Sequence, residues 1–258
     1  MITFTVITAT YNAEKVLQRT LDSVRRQSWA HVEHLIIDGA SKDGTLVMVE
    51  AYRQKSDAEE NGHEIKVTSE PDKGLYYAMN KGIDQATGQY LVFLNAGDVF
   101  ASDDTLEMVA QSVGEAERLP GVLYGDTDIV NDDGVFLRHR RLAPPEHLSW
   151  KSFRWGMLVC HQSFYALTEI AKDIHYDTRY RYSADVDWCI RIMKACKQQH
   201  RRLKDVHAVL TNFLDGGMTN THHRDSLKER FRVMAHHYGY VETFFLHVWF
   251  FIRQWLKS

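Results

Sequence analysis

Three cysteines in 258 residues, Cys160, Cys189 and Cys196, are too few and oddly numbered for a disulfide framework, and their spacing offers no paired metal-ligand pattern. A reducing cytoplasm is the expected setting. No basic stretch leads into an apolar signal core at the N-terminus, where a β-pattern begins at once, so nothing there directs export. The longest apolar stretch, Val241 to Leu256, falls short of the ~20 residues a membrane span requires and is interrupted by Glu242, His247, Arg253 and Gln254. No internal repeat, low-complexity tract or recognised nucleic-acid-binding motif is present, so no nucleic-acid partner is expected. What is there is 44% hydrophobic content, enough to bury a full core as one large domain or two closely fused lobes.

Net charge is only −3, but its distribution is uneven. Through Asp133 there are 11 Lys and Arg against 23 Asp and Glu; from Gly134 onward there are 20 against 11. An acidic half is joined to a basic one. The basic half can face an anionic partner such as a membrane surface or a pyrophosphate-bearing acceptor, the plainer alternative being solvated helix faces.

Strand and helix patterns alternate through the first ~110 residues, as in βαβ units around a parallel sheet. The opening strand lies in Ile2–Asn12, and Leu17, Leu21 and Val24 share one helical face after it. A second strand ends at Asp38, and Thr45 to Gln54 reads as a helix. The hydrophilic run from Lys55 to Glu64 reads as a solvent-facing connection. A helix over Tyr76–Ala86 then precedes an apolar strand, Tyr90 to Leu94, which leads into a lone carboxylate, Asp98. The carboxyl ends of strands are where open α/β sheets bind ligands, which makes Asp98 the first candidate metal ligand; a turn or capping role is the alternative. Further on, Asn131 to Gly134 is a hairpin signal, and the stretch from Pro144 is rich in Trp, Phe and Arg. The last segments are helical, and the apolar one suits an interfacial helix, with Trp249 and Trp255 at headgroup depth, as well as it suits packing against protein or a second subunit.

Seven segments in order, TATYN, IDGASKDGT, SEPDKGLYYAMNKG, FLNAGD, CHQSF, SADVDW and FLDGGMTN, span residues from about Ile2 to Asn220. Together they resemble the inverting family 2 glycosyltransferases of the GT-A fold, in particular the bacterial branch that builds surface polysaccharides, colanic-acid-type enzymes included. The resemblance implies an α/β fold with a Rossmann-like, mostly parallel sheet flanked by helices, a fused acceptor-binding lobe and C-terminal helices. It divides the chain into a donor lobe (1–115), an acceptor and catalytic-base lobe (116–221) and C-terminal helices (222–258).

Site residues are carried over by the same likeness. Thr8, Thr10, Tyr11 and Asn12 lie where the base and ribose would sit, with Asp38 accepting hydrogen bonds from the nucleoside. Ser41 follows in a turn where Asp43 has the alternative role of capping the helix near Thr45. Lys73 and Gly74 fall near the diphosphate, and Asn80 orients their loop. Asn95-Ala96-Gly97-Asp98 replaces the two or three acidic residues of many relatives, so Asn95 and Gly97 flank a single charged ligand for Mn²⁺ or Mg²⁺, Asp98. Metal binding without nucleotide should therefore be weak. His161 and Gln162 line the cleft floor. Asp185 is matched to the general base, with Asp187 the competitor two residues on. His222 and His223 are candidates to approach the metal or diphosphate.

The implied partners are a nucleotide diphosphate sugar and a saccharide or polyprenyl-linked acceptor, with peripheral contact at the inner face of the cytoplasmic membrane and a possible homodimer. Two other classes compete: a non-catalytic nucleotide-sugar-binding protein, which the reduced acidic motif favours, and a nucleotidyltransferase, which the lack of a Gly-rich triphosphate loop disfavours.

Overall fold

Strand β1 (Phe4–Thr10) is buried at every position, so it must lie at the centre of a sheet covered on both faces. It does, between β2 (Val32–Asp38) and β4 (Tyr90–Phe93), both parallel to it. β3 (His63–Ser69) adds to β2 in parallel and is the least buried of these four strands, as an edge strand should be. Register brings Thr10, Asp38 and Ser69 side by side at the carboxyl ends. The computed structural model that shows this describes residues 1–115, 117–216 and 223–255.

Beyond β4 the sheet becomes mixed. β8 (Phe164–Leu167) runs antiparallel to β4 and to β6 (Val122–Val130), which pairs in parallel with β9 (Leu203–Leu214). β9 carries short β5 (Val99–Phe100) antiparallel to it, and β7 (Phe136–His139) hairpins onto β6. Among the described residues this makes one nine-stranded sheet in the order β3-β2-β1-β4-β8-β6-β9-β5, with β7 off the path. Long-range pairing of β9 with both β6 and β5 is what closes the second half onto the first.

Helices α1 (Leu17–Arg25), α2 (Thr45–Glu59), α3 (Leu75–Gln85) and α4 (Thr105–Val113) connect the first strands; α5 (Thr168–Ala171) and α6 (Ala184–Gln198) follow β8. Leu17, Leu21 and Val24 are all fully buried, as their spacing predicts. One expectation needs correcting. The run Lys55 to Glu64 is not a connection: α2 continues to Glu59 and β3 begins at His63. Ser56 is buried and Glu59 takes two bonds from Arg25 of α1 (2.5 and 2.7 Å), so tertiary contacts extend a helix whose composition alone reads as loop. At the end of the chain α7 (His223–Tyr238) packs on α6, and α8 (Tyr240–Trp255) folds back on α7.

Candidate active site

A cleft of about 1260 Å³ opens at the carboxyl ends of β1 and β4, where the topology turns from parallel to mixed. A single small ligand needs roughly 300–1,000 Å³, so there is room for more than one substrate. Its walls come from the β1 end (Thr10, Tyr11, Asn12), the α3 start (Lys73, Gly74, Tyr76), the turn after β4 (Asn95, Asp98), the turn before β8 (His161, Gln162) and the α6 start (Asp185).

Asp98 sits in a tight turn that Gly97 permits: its φ is +101°, and an added Cβ would lie 2.7 Å from Leu214. Thr20 of α1 pins the turn, accepting from the Gly97 amide (2.9 Å) and donating to the Asp98 carbonyl (2.8 Å). The buried Asp98 carboxylate accepts from the Leu214 amide (3.0 Å) and from Gln162 Nε2 (2.8 Å). Burial pushes its pKa up to about 6, against the pull of those two donors. Each oxygen keeps a second lone pair, and Asn95 Oδ1 in the same turn is buried with no hydrogen-bond partner among the described residues. Oxygen donors of this kind suit a hard divalent cation whose other ligands are substrate oxygens and water. No cluster of three or more His, Cys, Asp or Glu able to hold a metal by itself occurs among the described residues.

His161 links the two ends of the cleft. Its Nε2 meets Asn95 Nδ2 at 3.2 Å and its Nδ1 lies 3.5 Å from Asp185 Oδ2. With the amide donating to Nε2, the ring proton is on Nδ1, facing Asp185. The other Asp185 oxygen accepts from the Val186 amide (2.9 Å) and meets Tyr76 Oη at 3.5 Å. Burial opposes ionisation of Asp185, but the hydrogen bond from His161, then the Arg230 charge and the Val186 amide, hold it below the usual carboxylate range. An aromatic stack of Tyr76, Tyr176 and Trp188 (centroids 5.2 and 4.9 Å) fixes α3 against α6 behind this carboxylate.

Asp187 is placed otherwise. Only 3% exposed and outside the cleft lining, it accepts from Arg191 Nε (2.6 Å) and bonds His237 Nε2 (2.8 Å), so it fastens α6 to α7.

Five residues expected to touch the donor stand behind the lining. Thr8 is fully buried, bonding the Leu94 carbonyl and His34. Asp38 is also fully buried, its carboxylate accepting from Ser41 (backbone N–H and Oγ) and from Ser69 Oγ (2.7 Å). Ser41 in turn accepts the Asn12 amide at 2.8 Å. Asn80 exchanges two bonds with the Tyr176 backbone, and Gly97 lies beneath Leu214. These five shape the walls rather than line them. Asp43 accepts from the amide and hydroxyl of Thr45, the capping role. Residues 217–222, His222 among them, and the His223 side chain lie outside the described residues. Sequence reasoning missed Tyr76, Arg181 and Arg230, which line the cleft, and Glu229 behind it; Tyr76 lies within the SEPDKGLYYAMNKG segment, whereas Arg181, Arg230 and Glu229 carry no local signal.

The glycosyl transferase family 2 model matches residues 5–174, about two-thirds of the chain. The chain belongs to glycosyl transferase family 2. It is 32% identical over 230 residues to the PGL/p-HBAD biosynthesis glycosyltransferase of Mycobacterium bovis, covering 84% of this chain and 79% of that protein. It is 32% identical over 207 residues to the amylovoran biosynthesis glycosyltransferase AmsB of Erwinia amylovora, covering 75% and 64%. Solved structures share the GT-A fold at low identity. S. aureus TarS 1-349 in complex with UDP superposes with a TM-score of 0.66 at 18% identity, covering 90% of this chain, which spans 63% of that one. Mannosyltransferase PcManGT from Pyrobaculum calidifontis, in complex with GDP-Man and Mn²⁺, gives 0.62 at 19% identity, covering 91% of this chain and 63% of that one. This family 2 enzyme is therefore a glycosyltransferase of the GT-A fold.

Proposed function

We propose that this family 2 glycosyltransferase moves one sugar, with inversion, from a nucleotide diphosphate donor to a saccharide acceptor carried on a lipid, in bacterial surface polysaccharide or glycolipid assembly. The observation that carries this is Asp185, a carboxylate held ionised in the same cleft as Asp98 and linked to it through His161 and the Asn95–Asp98 turn. The donor occupies the 1–115 side, Tyr11 and Asn12 bounding the nucleoside and Lys73 beside the diphosphate. The acceptor enters from the 116–221 side. Asp185 takes the proton of the acceptor hydroxyl as its oxygen bonds the anomeric carbon; the bond from that carbon to the diphosphate oxygen breaks, and its electron pair leaves with the nucleoside diphosphate. Asp98 would hold Mn²⁺ or Mg²⁺ together with the diphosphate, and the ion when bound would neutralise charge on that leaving group. The Mn²⁺ of the PcManGT complex, the nucleotides bound by TarS and PcManGT, and the names of the mycobacterial and Erwinia relatives support the reading.

Helix α8 supports a reading of where the enzyme acts. Val241, Phe244, Phe245, Val248, Trp249 and Ile252 are exposed on it, while no helix among the described residues is long and apolar enough to cross a membrane. A peripheral seat on the inner face of the cytoplasmic membrane covers that stripe and brings a lipid-linked acceptor to the cleft.

Calorimetric titration of UDP, GDP and dTDP, with and without Mn²⁺, tests the donor site. One nucleotide should bind only with metal, and Asp98→Ala should lose that binding. Metal-independent binding, or binding intact in the variant, overturns the metal role of Asp98. Donor binding without any transfer would favour a non-catalytic nucleotide-sugar-binding protein, to which the single carboxylate of the Asn95–Asp98 turn already lends weight.

A further inference from the structure

We infer that Glu229 is a positioning residue that sets the general base in place by holding the chain immediately before it. The inference rests on Asp185 being that base. Helix α6 begins without a side-chain cap: Ser183 at its N-cap turns its hydroxyl to the Ser226 carbonyl (3.4 Å) instead. The amides around a helix start need acceptors. Here a neighbouring helix provides them. Glu229 of α7, 9% exposed, accepts from the backbone N–H of Arg181 (2.6 Å), Tyr182 (2.5 Å) and Ser183 (2.7 Å) in succession.

Three consecutive amides on one carboxylate fix the path of the backbone two residues ahead of Asp185. That path decides whether Asp185 reaches both His161 and the Val186 amide, contacts with little slack at 3.5 and 2.9 Å. A second fastening between the same helices, Asp187 with His237, lies about two turns further along α7 and secures their packing by other atoms. Glu229 is thus not needed to dock α7 on α6. Its three bonds all fall on the segment leading to the base, whereas the donor-side residues Tyr11, Asn12, Lys73 and Asp98 sit on other elements. Loss of the carboxylate should therefore separate chemistry from donor binding.

Glu229→Gln keeps the shape but turns an NH₂ group toward an amide N–H that needs an acceptor. In the full-length chain, release of nucleoside diphosphate from UDP-, GDP- and dTDP-sugars with membrane-extracted acceptor should show kcat lowered roughly 10²-fold, the cost of a small misplacement of a reacting group, with donor KM unchanged. Hydrogen exchange supplies a readout independent of turnover: the amides of Tyr182, Ser183 and Val186 should exchange faster in the variant, and that of Leu214 should not. Asp185→Asn runs alongside. If Asp185→Asn is fully active, the base assignment itself fails. If Asp185→Asn is inactive while Glu229→Gln keeps wild-type kcat, or if Val186 exchange is unchanged, the positioning role is wrong. A rise in donor KM matching the fall in kcat would also refute it, marking general damage to the fold. Should Glu229→Ala not fold, Glu229→Gln carries the test.

Discussion

Asp185 and Asp187 lie two residues apart on one helix start, and replacing each by Asn should give opposite phenotypes. Asp187 is buried and bonded to Arg191 at 2.6 Å and His237 at 2.8 Å. Breaking a buried ion pair by removing one charge costs about 3–5 kcal/mol. Asn keeps one acceptor oxygen and its shape, which recovers part of that and leaves a loss of about 2–3 kcal/mol. In a chain of this size each kcal/mol moves Tm by about 2–4 °C, so Asp187→Asn should melt several degrees below wild type while still transferring sugar at the permissive temperature. Asp185→Asn should do the reverse, losing most transfer with a smaller change in Tm, since Asp185 is partly exposed at the cleft and its approach to His161 is long at 3.5 Å. Burial opposes ionisation of Asp187, yet His237 and Arg191 hold its pKa below the usual value. A depressed carboxylate stabilises the fold above its unfolded pKa of about 3.9 and loses that contribution as pH falls through the lower folded value. The gap between wild type and Asp187→Asn in urea denaturation should therefore close as pH falls below about 4. A gap that persists undiminished well below about pH 4 would place the coupling outside this carboxylate, and loss of transfer in Asp187→Asn at full stability would refute the division of roles.

Two further outcomes follow from the fold. His34 is fully buried between Thr8 and Tyr52, and burial, helped by His63, lowers its pKa to about 3. The neutral ring is the folded form, so its contribution is complete above the unfolded value of about 6.5 and declines as pH falls toward the folded one, by about 1.4 kcal/mol per pH unit. Urea midpoints should drop between pH 7 and pH 5, and His34→Gln should flatten that slope; an equal slope in the variant would assign the acid sensitivity to other groups. Removing the chain after Tyr240 should abolish sedimentation with anionic phospholipid vesicles and leave turnover on a soluble acceptor largely intact. Undiminished vesicle binding would assign the exposed apolar face of α8 to another partner.

Local pattern was enough to read the first half. Leu17, Leu21 and Val24 share a face because helical spacing leaves no other burial, and Asp98 stands in the cleft lining because the strand Tyr90–Phe93 leads to it at the carboxyl edge of the sheet. Charge at the surface misled: Lys55 to Glu64 looks like loop until Arg25 is seen beneath Glu59. Asp38 kept its motif position, yet its carboxylate is taken by Ser41 and Ser69, a fact that depends on β2 and β3 lying in register.

The sequence by itself determined the succession of strands and helices, the family to which the motifs belong and the residue types at the cleft, because periodicity and ordered motifs are properties of the chain. Tertiary structure decided which of two neighbouring aspartates faces the cleft, that His161 bridges Asn95 to Asp185, and that Glu229, 44 residues after Asp185, holds the backbone just ahead of it. Hydrogen bonds between distant segments leave no periodicity behind, and only the packed chain brings their donors and acceptors within reach.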